Sequence, residues 1–365
     1  MAKANMNELQ RKALLFMKQG NLKKSLKTIN LAIKTNNKIA INFYIQGRIF
    51  QELMDFQSGI LAYRKYLSLE KNVVESEIYR KAKFNLSICY FTVRNFKEGS
   101  ELYAFRHETS VINQYSEKIK WDKSINQGKV LIWAEQGIGD EILFLRFLKF
   151  LERFECCFYL ECDRRIHEIV SINFPRIKLI ERGFSLNLSS YDYHLPFGDL
   201  LSVFYNQIND ISHPYISLPI GGDFLKIKDQ FAGKDLVGIS WRSLNPDYSA
   251  ERSKKLEEIY SELDPDKVVL VNLQPSVFDE EINQITKQGF QLLNVCDCLN
   301  DINSVFQLIL ICSKVITVAN SVAHFSGALG KKTVLWLPKY PTWRWGTNME
   351  NSDLYPSIEF KNSKN

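Results

Sequence analysis

The sequence lacks several patterns that would place it in other classes of protein. Its amino terminus, MAKANMNELQRK, has no apolar core, so we expect no secretory signal peptide. The best candidate for a membrane span, residues 142–160, contains five charged side chains and is too charged to cross a bilayer. These absences favour a cytoplasmic protein that is at most peripheral to the inner face of a membrane.

Disulfide, zinc and dinucleotide patterns are also missing. The seven cysteines are an odd number and contain no CxxC spacing, so we expect reduced, mostly buried thiols. No GxGxxG fingerprint is present, which disfavours an NAD-dependent enzyme. The net charge of +6 is modest for 365 residues. It suits an anionic ligand but does not indicate a dedicated nucleic-acid binder.

The first third of the chain has no proline and shows helical periodicity. Residues 1–120 contain three corresponding segments, GNLKKSL, MDFQSGI and RNFKEGS, which begin at positions 20, 54 and 94. The first interval is 34 residues and the second is 40, so we expect the extra six residues in a turn near 71–75. This pattern resembles the tetratricopeptide repeat, with generic helical hairpins as the alternative. Stacked repeats of this kind offer a concave surface that can hold a peptide.

From residue 127 onward, strand and helix patterns alternate, which predicts parallel sheets. A strand at 129–134 precedes a helix that is expected to run to about residue 154, and residues 220–234 are expected to form a linker. The predicted fold class is α/β with an all-α N-terminal region. Its domains are helical repeats (1–120) and two Rossmann-like domains (121–225 and 226–365). The other predicted strands are 157–161, 177–180, 193–196, 236–241, 268–273, 290–293, 315–318 and 333–337.

The most informative segment is 314–338, which predicts a strand, a short polar turn holding His324, a slim helix and a second strand. Asn320 and Ser321 are good N-caps, and Gly330 is a plausible C-cap. Unpaired amides and the positive end of the helix dipole favour a phosphate at this helix start. An ordinary packing unit with a core histidine is the alternative.

A glycine loop follows the first strand of the α/β region. Gly137 and Gly139 allow a tight turn and a close approach to a ligand, and Asp140 projects a carboxylate there. Asp140 is either a helix N-cap or a general base for an acceptor hydroxyl.

A basic loop at 242–255 follows another strand. Its four cations could neutralise a diphosphate, although solvated surface charge is the alternative. Gln274 ends the next strand, either at a ligand or simply as a polar strand end. The four cations are Arg242, Arg252, Lys254 and Lys255.

Together these segments resemble the heptosyltransferase-like (family nine) glycosyltransferases, especially the class fused to tetratricopeptide repeats. The resemblance covers nearly the whole chain, and Phe105-Arg106 is similar to the family's junction motif. The segments are KVLIWAEQGIGDEILFLRF (129–147), YDYHLPFGDL (191–200), PYISLP (214–219), VGISWRS (237–243), NLQ (272–274), SVAHFSGALGKKTVLWLP (321–338) and TWRWG (342–346).

The resemblance implies a GT-B pair of Rossmann-like domains, with a nucleotide-sugar donor held mainly by the C-terminal domain. It implies no cofactor and no metal, transfer to a hydroxyl of a glycan, lipid-linked glycan or protein, and Asp140 as the catalytic base. The implied donor and diphosphate residues are Asn320, Ser321, Val322, Ala323, His324, Arg242, Arg252, Lys254 and Gln274. The implied acceptor or cleft residues are Gln136, Gly137, Gly139, Trp343 and Arg344.

One position departs from the family. Where the family usually has Asp-Thr before Ser-Val-Ala-His, this chain has Ala319-Asn320, so an acidic contact near the donor is lost. The glycine loop, the histidine segment and the basic loop all remain. We therefore expect direct sugar transfer, with a non-catalytic repeat scaffold carrying a degenerate nucleotide-binding domain as the alternative. Donor base, donor sugar, acceptor and oligomeric state are not determined by the sequence.

Overall fold

The computed structural model describes residues 7–70, 76–107, 118–183, 187–244, 249–295, 297–347 and 350–362. By its internal contacts the chain divides into two compact units. The first, the helical unit, consists of Met1–Glu117 and Thr342–Thr347, and the second, the α/β unit, consists of Lys118–Pro341 and Asn348–Asn365. The predicted class, an all-helical region followed by two parallel α/β sheets, is confirmed.

The helical unit consists of three consecutive hairpins. In each hairpin, the residue that begins the turn between the two helices has a left-handed backbone conformation, with φ of 73° at Gly20 and 63° at both Met54 and Arg94. The three corresponding sequence segments therefore adopt the same turn. Assignment of the hairpins to the tetratricopeptide family stays a prediction, and the expected longer turn at 71–75 lies outside the described residues. The helices are α1 (Glu8–Lys18), α2 (Leu22–Thr35), α3 (Ala40–Glu52), α4 (Phe56–Leu69), α5 (Glu77–Thr92) and α6 (Phe96–Tyr103).

Small residues let the helices of each hairpin approach closely. Ser25 is fully buried and donates a hydrogen bond to the Ala13 carbonyl (2.6 Å). A Cβ atom on Gly59 would lie 3.7 Å from the Gly47 carbonyl oxygen of α3, and one on Gly99 only 2.4 Å from Phe91 Cδ1 of α5. The third hairpin is therefore the most tightly packed at this position.

The segment Thr342–Thr347 belongs to the helical unit by its contacts. The sequence assigned it to the C-terminal domain as a cleft loop. The Trp343 side chain is 4% exposed, and its ring centroid lies 5.2 Å from that of Phe91. Arg94 donates a hydrogen bond to the Trp343 carbonyl (2.9 Å). Trp343 therefore extends the aromatic core of the third hairpin.

The α/β unit contains two sheets in which all neighbouring strands are parallel. The first has the order β1-β5-β2-β3-β4 and the second β11-β10-β9-β6-β7-β8. Their central strands are almost wholly buried, as expected for sheets covered on both faces. The strands are β1 (Ile119–Lys120), β2 (Lys129–Trp133), β3 (Cys157–Cys162), β4 (Lys178–Glu181), β5 (Tyr193–Pro196), β6 (Asp235–Ser240), β7 (Val268–Asn272), β8 (Gln291–Leu293), β9 (Lys314–Val318), β10 (Thr333–Leu337) and β11 (Ile358–Asn362).

Short helices connect these strands. Four-residue to ten-residue helices alternate with 3-10 turns at Leu148–Arg153, Arg164–Ile166, Leu188–Ser190, Phe197–Asp199 and Tyr205–Asp210. The helices are α7 (Ile138–Leu145), α8 (His167–Asn173), α9 (Leu200–Val203), α10 (Gly222–Gln230), α11 (Ser249–Arg252), α12 (Leu256–Tyr260), α13 (Asp279–Lys287), α14 (Ile302–Ile311) and α15 (Ser321–Ala328).

Three expectations about these elements are wrong. The helix after β2 ends at Leu145 instead of residue 154, because a 3-10 turn replaces it. The expected linker at 220–234 contains the helix α10. His324 lies inside α15 and not in a polar turn before it.

The sequence also missed the short edge strand β1 and the last strand β11. Among the described residues, no helix is long and apolar enough to cross a membrane. The six described cysteines are free thiols, five of them buried, and Cys296 lies outside the described residues.

Candidate active site

Each sheet reverses its strand order at one point, and ligands of open parallel sheets bind beyond the carboxyl ends of the strands at such a point. In the second sheet the reversal lies between β6 and β9. Asn320, just after β9, spans it by donating from Nδ2 to Ser240 Oγ (2.8 Å) and to the Arg242 carbonyl (3.1 Å). The loops after β6 and β9 are thus fastened together.

The same side chain caps α15. Asn320 Oδ1 accepts a hydrogen bond from the Val322 amide (3.0 Å) and one from Thr317 Oγ1 (3.1 Å). The helix ends as predicted, with Gly330 at φ +65° and the Lys331 amide bonded to the Ser326 carbonyl (2.9 Å). Asn320 therefore both starts this helix and holds the neighbouring loop.

The first sheet reverses between β2 and β5. The loops that follow these strands also meet, because the Gly198 amide donates to Glu135 Oε1 (3.1 Å). The glycine loop continues directly from Glu135 into α7, whose N-cap is Gly137 in extended conformation. Both reversal points therefore end in a short helix that starts at the carboxyl edge of its sheet.

These two helices, α7 and α15, meet at their first turns. A Cβ atom on Gly139 would lie 3.1 Å from His324 Cδ2 and 3.5 Å from Ser321 Cα. Further along, Tyr215 joins the same two helices, because its amide bonds to the Ala328 carbonyl (3.2 Å) and its hydroxyl to the Ile142 carbonyl (3.0 Å). The helices hence run side by side with both amino termini at one end, where their positive dipole ends add.

Behind these first turns lies a buried cluster of His324, Tyr355, Tyr215 and Arg146. His324 Nδ1 lies 2.8 Å from the Tyr355 hydroxyl. The Arg146 guanidinium is 4.6 Å from the Tyr355 ring centroid and 5.1 Å from that of Tyr215. Burial holds the pKa of Tyr355 well above its ordinary value. The Tyr355 phenol therefore stays neutral and fixes the imidazole of His324.

Arg146 is unusual within this cluster. It is 3% exposed, donates from Nε to the Leu143 carbonyl (2.9 Å), and has no hydrogen-bond partner at Nη2 among the residues that the structure describes. The guanidinium faces two aromatic rings instead of a carboxylate. Cation–π attraction to such rings is strong when the charge is desolvated.

A second buried charge, Glu141, supports the glycine loop. Arg182 Nη1 donates to the Gln136 carbonyl (2.5 Å) and to Glu141 Oε1 (3.0 Å), while Glu141 Oε2 accepts from the Asp163 amide (2.8 Å). Glu141 is 1% exposed, and this burial raises its pKa to about 7, against the opposing effects of the Asp163 amide and Arg182. Arg182 and Glu141 together tie the loop to the start of α7.

Asp140, the predicted base, is the third residue of α7 and is half-buried. It is not the N-cap, because Gly137 holds that position. The structure places Asp140 next to Gly139 and therefore close to the first turn of α15. Its catalytic role stays a prediction.

The residues of the basic loop are placed unequally. Arg242 forms an ion pair with Glu281 and donates from Nη2 to the Ser276 carbonyl (2.5 Å), so its charge is already compensated. Lys254 is partly buried over the Trp336 ring (5.2 Å), Arg252 is half-buried and Lys255 is exposed. Residues 245–248 lie outside the described part of the loop.

Gln274 holds the backbone of the β6 loop. Its Oε1 accepts from Ser240 Oγ (3.1 Å) and from the amides of Trp241 (3.1 Å) and Arg242 (2.9 Å). At 1% exposure its side chain supports the loop from inside. Trp343 and Arg344, the other predicted cleft residues, lie within the helical unit, where the Arg344 guanidinium is 5.1 Å from the Trp343 ring centroid.

A cavity of about 290 Å³ lies elsewhere, near the amino end of β3. It lies at the amino ends of the strands of the first sheet, whereas the glycine loop follows their carboxyl ends, and none of the predicted site residues lines it. Its lining residues are Leu151, Glu152, Phe154, Glu155, Cys156, Cys157, Phe158, Arg176 and Ile177.

No protein-family model and no curated protein sequence matches this chain. Among solved structures, the chain is similar to ADP-heptose lipopolysaccharide heptosyltransferase II of E. coli, with 13% identity over 64% of this chain and 90% of that chain, at a TM-score of 0.45. A family 9 glycosyltransferase from Veillonella parvula gives 12% identity over 68% and 89%, at 0.47. TibC from enterotoxigenic E. coli gives 12% over 60% and 61%, at 0.43.

The expectation of no cofactor and no metal ligand is contradicted. TibC is described as an iron-containing glycosyltransferase, so metal independence does not follow from likeness to these proteins. Within the α/β unit, carboxylate oxygens of Glu135 and Asp199 lie within 4.8 Å of each other, a separation that a shared cation can bridge. The described residues therefore include side chains of the type that bind metals.

Proposed function

We propose that this protein is a glycosyltransferase that moves a sugar from a nucleoside-diphosphate sugar to a hydroxyl acceptor. The contact between the first turns of α7 and α15 carries this proposal. Gly139 on one and Ser321 and His324 on the other bring two helix amino termini together at the reversal points of two parallel sheets. Such a place suits a diphosphate, and the adjacent carboxylate of Asp140 suits an acceptor hydroxyl.

The proposed mechanism is a direct displacement. The Asp140 carboxylate accepts the proton of the acceptor hydroxyl as that oxygen forms a bond with the anomeric carbon. The bond from the anomeric carbon to the diphosphate oxygen breaks, and its electron pair leaves with the diphosphate. Backbone amides at the start of α15, with Arg252 or Lys254, stabilise the developing charge.

A screen of nucleoside-diphosphate sugars as donors tests whether the protein transfers a sugar at all. Two proteins of similar structure, TibC and the E. coli heptosyltransferase WaaC, have been solved with ADP-heptose and with ADP, so ADP-sugars come first in the panel, followed by UDP-, GDP- and CDP-sugars. Mass spectrometry follows loss of the donor and gain of a sugar on glycan, lipid-linked and peptide acceptors. A chain that binds and consumes none of these donors contradicts the proposed function.

The variant Asp140→Asn tests the base. We expect transfer to fall by about 100-fold or more, because a general base contributes about 10² to 10⁴ in rate, with unchanged affinity for the nucleoside diphosphate. The exposed Asp235→Asn is the control and should transfer normally. Unchanged transfer by Asp140→Asn at saturating donor would remove Asp140 from the mechanism.

A second candidate is a scaffold that binds a nucleotide without catalysis. Its support is Ala319, a buried alanine where the similar family usually has an acidic residue, together with the pairing of Arg242 by Glu281. Calorimetry with nucleoside diphosphates and their sugars, with donor hydrolysis followed in the same samples, separates the two. Binding without hydrolysis or transfer favours the scaffold.

A further inference from the structure

The positive charge of this protein is concentrated at one end of the helical unit. Residues 7–38 contain eight lysines and arginines and one glutamate, an excess of seven, whereas the whole chain has a net charge of +6. Helix α2 alone contains four lysines and no acidic residue. The modest overall charge therefore hides a strongly cationic local surface.

Helix α2 presents its lysines on the side that no described residue covers. Ser25 marks the buried side, through its hydrogen bond to the Ala13 carbonyl of α1. At about 100° per residue, Lys23, Lys27 and Lys34 lie roughly opposite Ser25, in one row along the helix. All three side chains are exposed, and Lys24 is exposed beside them.

Nothing among the described residues neutralises this row. In the first hairpin the only ion pair is Lys12 with Glu8 in α1 (2.6 Å), and none of the α2 lysines has an acidic partner within the described chain. Leu31, which lies beside the row, is 53% exposed. The surface is therefore an uncompensated cationic row flanked by an exposed aliphatic side chain.

The repeat does not require these lysines. Helix α4 takes the same place in the second hairpin and has only Arg64 and Lys65 as charged residues. Helix α6, in the third hairpin, has one lysine and two glutamates. Three helices in equivalent positions thus range from strongly basic to slightly acidic, and the outermost carries the most positive charge. The charge belongs to this surface and not to the fold.

We propose that the outer face of α2 docks on an anionic lipid bilayer surface. Lysines on flexible stems suit a diffuse layer of lipid phosphates, because each acts as a point charge without a demanded geometry. Leu31 can enter the headgroup region beside them. The row has no exposed aromatic side chain for stacking on bases, which disfavours a nucleic acid as the partner. This inference does not depend on the proposed transferase activity.

Vesicle sedimentation of the full chain tests the proposal. We expect the protein to pellet with phosphatidylcholine–phosphatidylglycerol vesicles at about 0.1 M salt, to remain soluble with phosphatidylcholine alone, and to be released near 0.5 M salt. The variant Lys23→Glu/Lys27→Glu/Lys34→Glu should bind at least about 100-fold more weakly, since each cation near an anionic leaflet contributes about fivefold in affinity. Leu31→Ser should weaken binding severalfold at about 0.1 M salt.

The matched control reverses three exposed lysines of the α/β unit, Lys234, Lys287 and Lys332, and should keep wild-type binding. Circular dichroism and thermal unfolding check that the variants fold, and the triple Lys→Gln variant gives a milder test of the same row. Equal loss in both triple variants, or no binding of wild type to anionic vesicles, overturns the proposal. Binding of duplex DNA or polyglutamate through the same lysines, without vesicle binding, overturns it in favour of that partner.

Discussion

Gly139 faces His324 so closely that a methyl group on Gly139 would lie 3.1 Å from Cδ2 of the imidazole. This contact joins the first turn of α7 to the first turn of α15, and so joins the predicted base to the predicted diphosphate site. No side chain larger than hydrogen fits there without displacing one helix start by a few tenths of an ångström.

Gly139→Ala therefore should lower transfer about tenfold, because small displacements of reacting groups are costly in rate. Its thermal stability should change little, since alanine gains about 1 kcal/mol of helix propensity against the crowding. Gly222→Ala is the control: it also lies in the first turn of a helix, α10, and has open space around the new methyl group. Equal activity of both variants would show that the approach of the two helices does not matter for transfer.

Glu141 predicts an unusual dependence of stability on pH. Its pKa is raised to about 7 from an ordinary value of 4.5, so between these values the folded state holds a proton that the unfolded state has released. Stability from this group is thus present at low pH and is lost as pH rises from about 4.5 to 7, by up to about 3 kcal/mol at 1.36 kcal/mol per pKa unit.

The measurement is chemical denaturation of wild type and Glu141→Gln at pH 4 and pH 8, chosen on either side of this window. Wild type should lose more stability than Glu141→Gln between the two pH values. Glu155→Gln, at an exposed carboxylate, should behave like wild type. Identical pH dependence of all three proteins would show that Glu141 titrates normally.

Tyr355→Phe should weaken nucleoside-diphosphate binding severalfold and lower stability by about 1–2 kcal/mol, because it leaves His324 Nδ1 without its hydroxyl partner at 2.8 Å. Tyr260→Phe is a close control, since the hydroxyl of that buried ring has no hydrogen-bond partner within the described part of the chain. Calorimetric titration and thermal unfolding give the two readouts. A Tyr355→Phe protein that binds and melts like Tyr260→Phe would contradict a positioning role for Tyr355.

In the helical unit, Gly99→Ala should destabilise by about 1–3 kcal/mol, because its Cβ would overlap the Phe91 ring at 2.4 Å. Gly59→Ala occupies the corresponding position of the second hairpin, where the nearest atom would be 3.5 Å away, and should be neutral or stabilising by up to about 1 kcal/mol. Thermal unfolding compares the two. The reverse order of stabilities would show that the hairpins pack differently from the structure.

Much of the secondary structure could be predicted because buried parallel strands carry a local signal. Each predicted strand agrees with an observed strand to within about one residue, as for β5 and β10, whose bounds are identical. The edge strand β1 has only two residues and the helix α10 has no buried residue, so neither has an apolar pattern to read. The helix after β2 stops at Leu145 although the apolar pattern continues. Phe147 and Leu148 are buried as the pattern predicts, but they lie at a 3-10 turn, so the pattern did not indicate where the α-helix ends.

The loops of the candidate site could be predicted from the sequence, but the side chains that hold these loops in place could not. Spacing alone indicated the glycine loop and the start of α15, since each follows a strand. The supporting side chains Tyr355, Tyr215 and Arg182 come from distant parts of the sequence and reach the site only through tertiary packing. For Arg242 the local sequence was misleading. Its place in a cationic loop indicated a free positive charge, but Glu281, from another helix, forms an ion pair with it.

The excursion of Thr342–Thr347 into the helical unit means that no single cut of the chain separates the two units. A fragment ending at residue 117 would lose Trp343, and the ring of Phe91 would keep Phe96 and Tyr103 as neighbours but lose the tryptophan ring beside it. Conversely, a fragment that starts at residue 118 would carry that tryptophan with nothing to bury it. We therefore expect an exchange of the repeats between similar proteins to succeed only if this six-residue segment is exchanged together with them.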